Sequence, residues 1–112
     1  MPTNLGMDLS NLDVQHAAIV ATASGATEVV AADADHEIRV VAYAFITDTA
    51  EGVKFQSAST DLTGVMTAGA NGGISCGFNP AGWFETVKNE ALNINLATGT
   101  IVLGGHVSYV LC

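Results

Sequence analysis

A chain of 112 residues with 49% apolar and only 12% charged side chains reads as one domain, long enough to bury roughly two-thirds of its unfolded surface. Eleven acids against Arg39, Lys54 and Lys88 give a formal net charge of −8, which argues against a phosphate-binding nucleic-acid protein and against an anionic membrane surface. So low a charged fraction, about half of ordinary usage, implies that much of the surface is interface.

Residues 1–13 scatter Leu5, Met7, Leu9 and Leu12 among turn-forming residues. Ser10 can cap a short helix with Asp13 at its third position, and an extended arm fits equally well. Such an arm frays in a monomer, so it is expected to dock on a neighbour. No basic segment followed by an apolar run marks a signal peptide, and no stretch reaches the roughly 18 apolar residues of a membrane helix. Synthesis in a reducing cytoplasm is the expectation, with Cys76 and Cys112 as free thiols.

From Val14 the punctuation is that of an all-β domain: short apolar runs divided by Gly, Asn, Asp and Ser. Strands are predicted over 14–22 and 27–31, with a turn at Ala23, Ser24 and Gly25. A corner at 32–35 then leads into residues 37–46, the longest run of strand formers and the expected central strand. Strict alternation places Ile38, Val40, Ala42, Ala44 and Ile46 on one face and Arg39, Val41, Tyr43 and Phe45 on the other. Both faces are apolar. One face fills the core; the second needs a cover that one small sandwich cannot supply.

Residues 53–57 alternate with Val53 and Phe55 inward, and a weaker run at 62–67 is interrupted by Gly64. The stretch 69–73 is a glycine-rich turn suited to positive φ, after which Ile74, Cys76 and Phe78 share a face. Asn79-Pro80-Ala81-Gly82 turns the chain again and presents Trp83 and Phe84. The clearest half-buried strand is 91–96, with Leu92, Ile94 and Leu96 in and Asn93 and Asn95 out. Segments 100–103 and 106–111, separated by Gly104 and Gly105, complete a single antiparallel β-sandwich, jelly-roll-like, of about 8–10 short strands over 14–112.

Little in the chain looks catalytic. His16, His36 and His106 are scattered, and Asp33-Ala34-Asp35-His36 lacks the glycine and glutamate of a calcium loop. No serine sits in a nucleophile elbow, no His-x-His pair suggests a cupin metal, and the glycines of 64–73 do not end in a phosphate loop. Glu85 and Glu90 read as solvated acids rather than a catalytic pair. No enzyme, cofactor or metal is expected. Trp83, next to a rigid turn, is either a core or interface anchor or a sugar-stacking platform.

Five pieces in order resemble small virion proteins of tailed phages: Ile38-Arg39-Val40-Val41-Ala42-Tyr43, Val53-Lys54-Phe55-Gln56-Ser57, Asp61-Leu62-Thr63-Gly64, Ala70-Asn71-Gly72-Gly73, and residues 79–86 from Asn79 to Thr86. The end is similar too, over 90–96 and 104–109, so the likeness covers about residues 25–112. Proteins of this kind look like head decoration or head-fibre proteins. The resemblance implies a homotrimer on the outside of an assembled capsid, with the major capsid protein as partner and the virion surface as location. On that reading Val41, Tyr43, Phe45 and Trp83 form the trimer interface, and Leu5, Met7, Leu9 and Leu12 supply capsid contact. The alternative is a carbohydrate-binding module for receptor attachment on a tail or fibre.

Overall fold

The computed structural model describes residues 13–99 and 101–112. Ten strands follow in order: β1 (Gln15–Ala21), β2 (Gly25–Val30), β3 (Ile38–Thr47), β4 (Glu51–Ser57), β5 (Thr60–Asp61), β6 (Met66–Ala68), β7 (Gly73–Cys76), β8 (Phe84–Glu85), β9 (Leu92–Leu96) and β10 (Leu103–Leu111). No helix occurs among the described residues. All pairings are antiparallel. One sheet runs β1-β10-β3-β7, with β8 also on β3; the second runs β2-β9-β4-β5, with β6 also on β4. Six of the nine consecutive pairs, β1/β2, β2/β3, β3/β4, β6/β7, β8/β9 and β9/β10, have one strand in each sheet, and the resulting order is that of a jelly roll. The expected sandwich is therefore the observed fold.

The core lies between the sheets and follows the alternation of the strands. Leu92, Ile94 and Leu96 of β9 and Val53 and Phe55 of β4 point inward and are buried. Ile19, Phe45, Leu103 and Val107 meet them from the first sheet. Phe55 is the second sheet's ring in the aromatic cluster, with ring centroids 5.2 Å from Tyr43, 6.4 Å from Phe45 and 4.9 Å from Phe84. Among the described residues, buried polar side-chain atoms are paired as the low dielectric requires. The buried Glu51 carboxylate accepts hydrogen bonds from the Gly52 and Thr98 amides and the Thr98 hydroxyl, tying β4 to the turn before β10. Ser57 Oγ donates to Glu90 at 2.6 Å and accepts from the Val87 amide.

Strand β3 departs from strict alternation, and the expected faces change with it. Ser108 pairs with Ala42 but Tyr109 pairs with Val40, so Val41 is an extra residue on β3. A β-bulge of this kind reverses the inward set on either side of it. Ile38 and Val40 face the core before the bulge; Tyr43, Phe45 and Thr47 are buried after it, while Ala42, Ala44 and Ile46 turn outward. The surplus apolar face predicted for Val41, Tyr43 and Phe45 is thus absent: all three are sealed inside one copy.

Two further expectations are revised. Gly104 and Gly105 do not divide the last segment, because β10 runs through them unbroken. Phe78 does not follow Ile74 and Cys76 inward, because β7 ends at Cys76 and leaves Phe78 54% exposed.

Candidate docking surface

The bulge decides what the first sheet shows to solvent. On its outer side the half beyond Val41 carries His16, Ala18 and Val20 from β1, Gly104, His106 and Ser108 from β10, Ala42, Ala44 and Ile46 from β3, and Gly73 and Ser75 from β7. None of these is Asp, Glu, Lys or Arg. One cross-strand row reads Val20, Gly104, Ile46, Gly73, an alternation of large and absent side chains. Val20 is 69% exposed, Ile46 63%, and Val102 at the same end 57%. A groove of about 270 Å³ beside Ile46 is lined by Ala44, Asn71, Gly73, Ile74 and Ser75. His16 Nδ1 and Ser108 Oγ, 2.9 Å apart, are hydrogen-bonded at the far end. The outer side of the second sheet is the opposite kind of surface. There Asn95 donates to Gln56, Gln56 donates to Asp61, and Lys54 pairs with Asp61 at 3.0 Å.

Residues 77–83 form a loop between β7 and β8, opposite the bulge. The Asn79 amide donates to the Val41 carbonyl at 2.7 Å and the Trp83 amide to the Val40 carbonyl at 2.8 Å. Asn79 Oδ1 accepts from the Ala81 amide, the Gly82 amide donates to the Asn79 carbonyl, and Gly82 takes φ +89°. A Cβ on Gly82 would lie 2.5 Å from Arg39 Cγ, so the turn can close against β3 only with glycine there. Trp83 Nε1 donates to the Gly77 carbonyl at 2.9 Å. The indole is therefore held in place, yet 46% of the residue is exposed, and Phe78 stands exposed on the same loop.

On the other side of the bulge, in the half of β3 before Val41, the surface is charged. Arg39 Nε donates to Glu85 Oε1 at 3.1 Å, and that contact is the first cause of the raised guanidinium pKa. Glu37, Glu85 and Cys112 place potential ligand atoms within 4.8 Å of one another, a metal-like grouping among the described residues. Burial is the first cause that raises the Cys112 thiol pKa, and Arg39 already supplies positive charge at Glu85. The Asp33–His36 cluster is a capped turn: Asp33 Oδ1 accepts from the Asp35 amide and contacts His36 Nδ1, both at 2.9 Å. The His36 contact, then the Asp35 amide, lowers the Asp33 carboxyl below its usual range. Glu85 and Glu90 serve different partners, Arg39 and Ser57.

Of the residues expected at a trimer interface, only Trp83 is at the surface. Val41, Tyr43 and Phe45 are interior, and burial pushes the Tyr43 phenol up to about 12. Leu5, Met7, Leu9 and Leu12 lie outside the described residues. The sequence reading missed Val20, Ile46, Val102 and Phe78. For Ile46 a signal was present: Tyr43 and Phe45 are far bulkier than Ala42 and Ala44, and a core takes the bulkier set. No family model, curated protein or solved structure matches the chain.

Proposed function

We propose that this chain is a non-catalytic structural protein that coats a larger assembly, in the manner of a phage head decoration protein. The observation that carries the reading is the uncharged outer half of the first sheet, with Val20 and Ile46 exposed in a chain of net charge −8; Val102, exposed just before β10, borders it beside the Asp48 carboxylate. An acidic protein that keeps acids off one flat face has a surface suited to lie against another protein. Withdrawing each of the three side chains from water contributes about 1–2 kcal/mol before association losses. The resemblance over residues 25–112 supplies the kind of partner, an assembled phage shell. A protein that binds only the assembled shell stabilises it by mass action. The three interior side chains lend nothing to a trimer, so copy number must be set by other surfaces.

Co-sedimentation with purified heads of the encoding phage tests this. Wild-type protein is expected to pellet with the heads, whereas Ile46→Asp should bind at least tenfold more weakly. Because Ile46 is exposed, its melting temperature should stay within a few degrees. Protein that remains in the supernatant, or equal binding by Ile46→Asp, would refute the docking role.

A second reading is favoured by Phe78 and Trp83, two exposed aromatics on one rigid loop: a sugar-binding module for receptor attachment. On that reading a glycan array shows saturable binding that Trp83→Ala removes with the fold intact. Absence of any glycan signal leaves the loop as a protein contact.

A further inference from the structure

The four lateral edges of the sandwich are not alike. One edge of the first sheet is split into β7 and β8, four and two residues long, by the loop 77–83. One edge of the second is cut into β5 and β6, two and three residues long. The other edge of the second is β2, which carries Glu28 and a register irregularity between Glu28 and Val30. Short strands, charges and irregularities are the ways in which proteins blunt an edge against pairing. Strand β1 has none of them. Its seven residues, Gln15–Ala21, contain no Asp, Glu, Lys, Arg or Pro, and they pair with β10 in unbroken register from Gln15 to Ala21. The other side of β1 has no strand partner among the described residues.

We infer that β1 is a pairing edge whose partner is β1 of a second copy, joined antiparallel about a two-fold axis. Inward and outward side chains must stay matched across the seam, so the axis passes through a residue position rather than between two. Placing it at Ala18 pairs all seven residues: Ala18 faces its own counterpart, Ile19 faces the second copy's Ala17, Val20 faces its His16, and Ala21 faces its Gln15. No charge meets a like charge along this seam, although each copy carries −8. The join also sets two uncharged outer faces edge to edge, doubling a surface that is small on one copy. A seam of seven residues is about 24 Å long, which belongs to the weak, transient class of contact. The inference does not rest on the shell reading above: Ala18 and Val20 also border the outer face, but the readout is the mass of the protein alone, with no shell present.

Charge pairing at the axis provides the test. Ala18 is exposed, so neither Ala18→Lys nor Ala18→Glu should disturb the single copy. Light scattering at about 100 µM should give wild-type protein approaching twice the 11.4 kDa chain mass. Each variant alone, which sets two like charges opposite one another, should give the mass of one chain. An equimolar mixture of the two should restore the doubled mass. A monomeric or trimeric wild type would overturn the inference, as would doubled mass in both variants alone. So would a wild type that pairs only after residues 2–12 are removed, because the edge would then belong to the chain's own N-terminal segment.

Discussion

Replacing Gly105 by alanine is expected to cost about 3 kcal/mol of folding stability, near the upper end of what overpacking does. Gly105 sits in β10 between β1 and β3, opposite Ile19 on one side and Phe45 on the other. A Cβ built there falls 2.0 Å from the Ala44 carbonyl oxygen and 2.7 Å from the Phe45 Cα. Both atoms are backbone of the neighbouring strand, so no side-chain rotation relieves the contact. Relief requires β10 and β3 to move apart, and with them the longest ladder of the first sheet. At about 4 °C per kcal/mol for a domain of this size, the melting temperature should fall by about 12 °C. The adjacent glycine is the control. A Cβ on Gly104 meets only the Ile19 carbonyl oxygen, at 4.0 Å, and Gly104→Ala should leave stability unchanged or raise it by a few tenths of a kcal/mol. Equal effects at the two positions in urea titrations would show that β10 does not lie this close to β3.

Much of the architecture was readable because most strands carry a simple period. Leu92, Ile94 and Leu96 alternate with asparagines, and the structure buries the three apolar residues as the pattern predicts. Val53 and Phe55 behave likewise. What alternation alone could not reveal was the extra residue at Val41. A bulge exists only relative to the strand opposite, and the irregularity between Ser108 and Tyr109 is a property of the pair. Missing it inverted the outer half of β3, so Tyr43 and Phe45 were expected at an interface and Ile46 in the core. The same long-range cause hid the docking surface, which draws on β1, β10, β3 and β7 from opposite ends of the chain. Phe78 was misplaced for a related reason: the loop 77–83 leaves the sheet where the bulge breaks the edge, and it fastens to the Val40 and Val41 carbonyls.

Phe55→Ala is expected to destabilise the protein by about 4 kcal/mol, through lost transfer energy plus an unfilled cavity. Phe55 belongs to the second sheet, while its ring neighbours Tyr43, Phe45 and Phe84 belong to the first, so one side chain bridges the two layers. The edge-on contact with Tyr43, at an interplanar angle of 70°, adds to the plain burial term. With total stabilities of roughly 5–15 kcal/mol, a loss of this size brings a domain close to unfolding at ordinary temperature. Phe55→Leu, which keeps most of the volume, should cost about 1 kcal/mol, and Phe78→Ala, on an exposed side chain, less than about 0.5. In urea, the Phe55→Ala midpoint should move to lower concentration while the slope stays that of the wild type, provided the two sheets still unfold together. A loss below about 1.5 kcal/mol would mean that the layers are held by something other than this aromatic cluster. A changed slope would mean that they separate in steps. Either result would matter for docking, because the outer face of the first sheet keeps its residues in register only while its inner face remains clamped to the second.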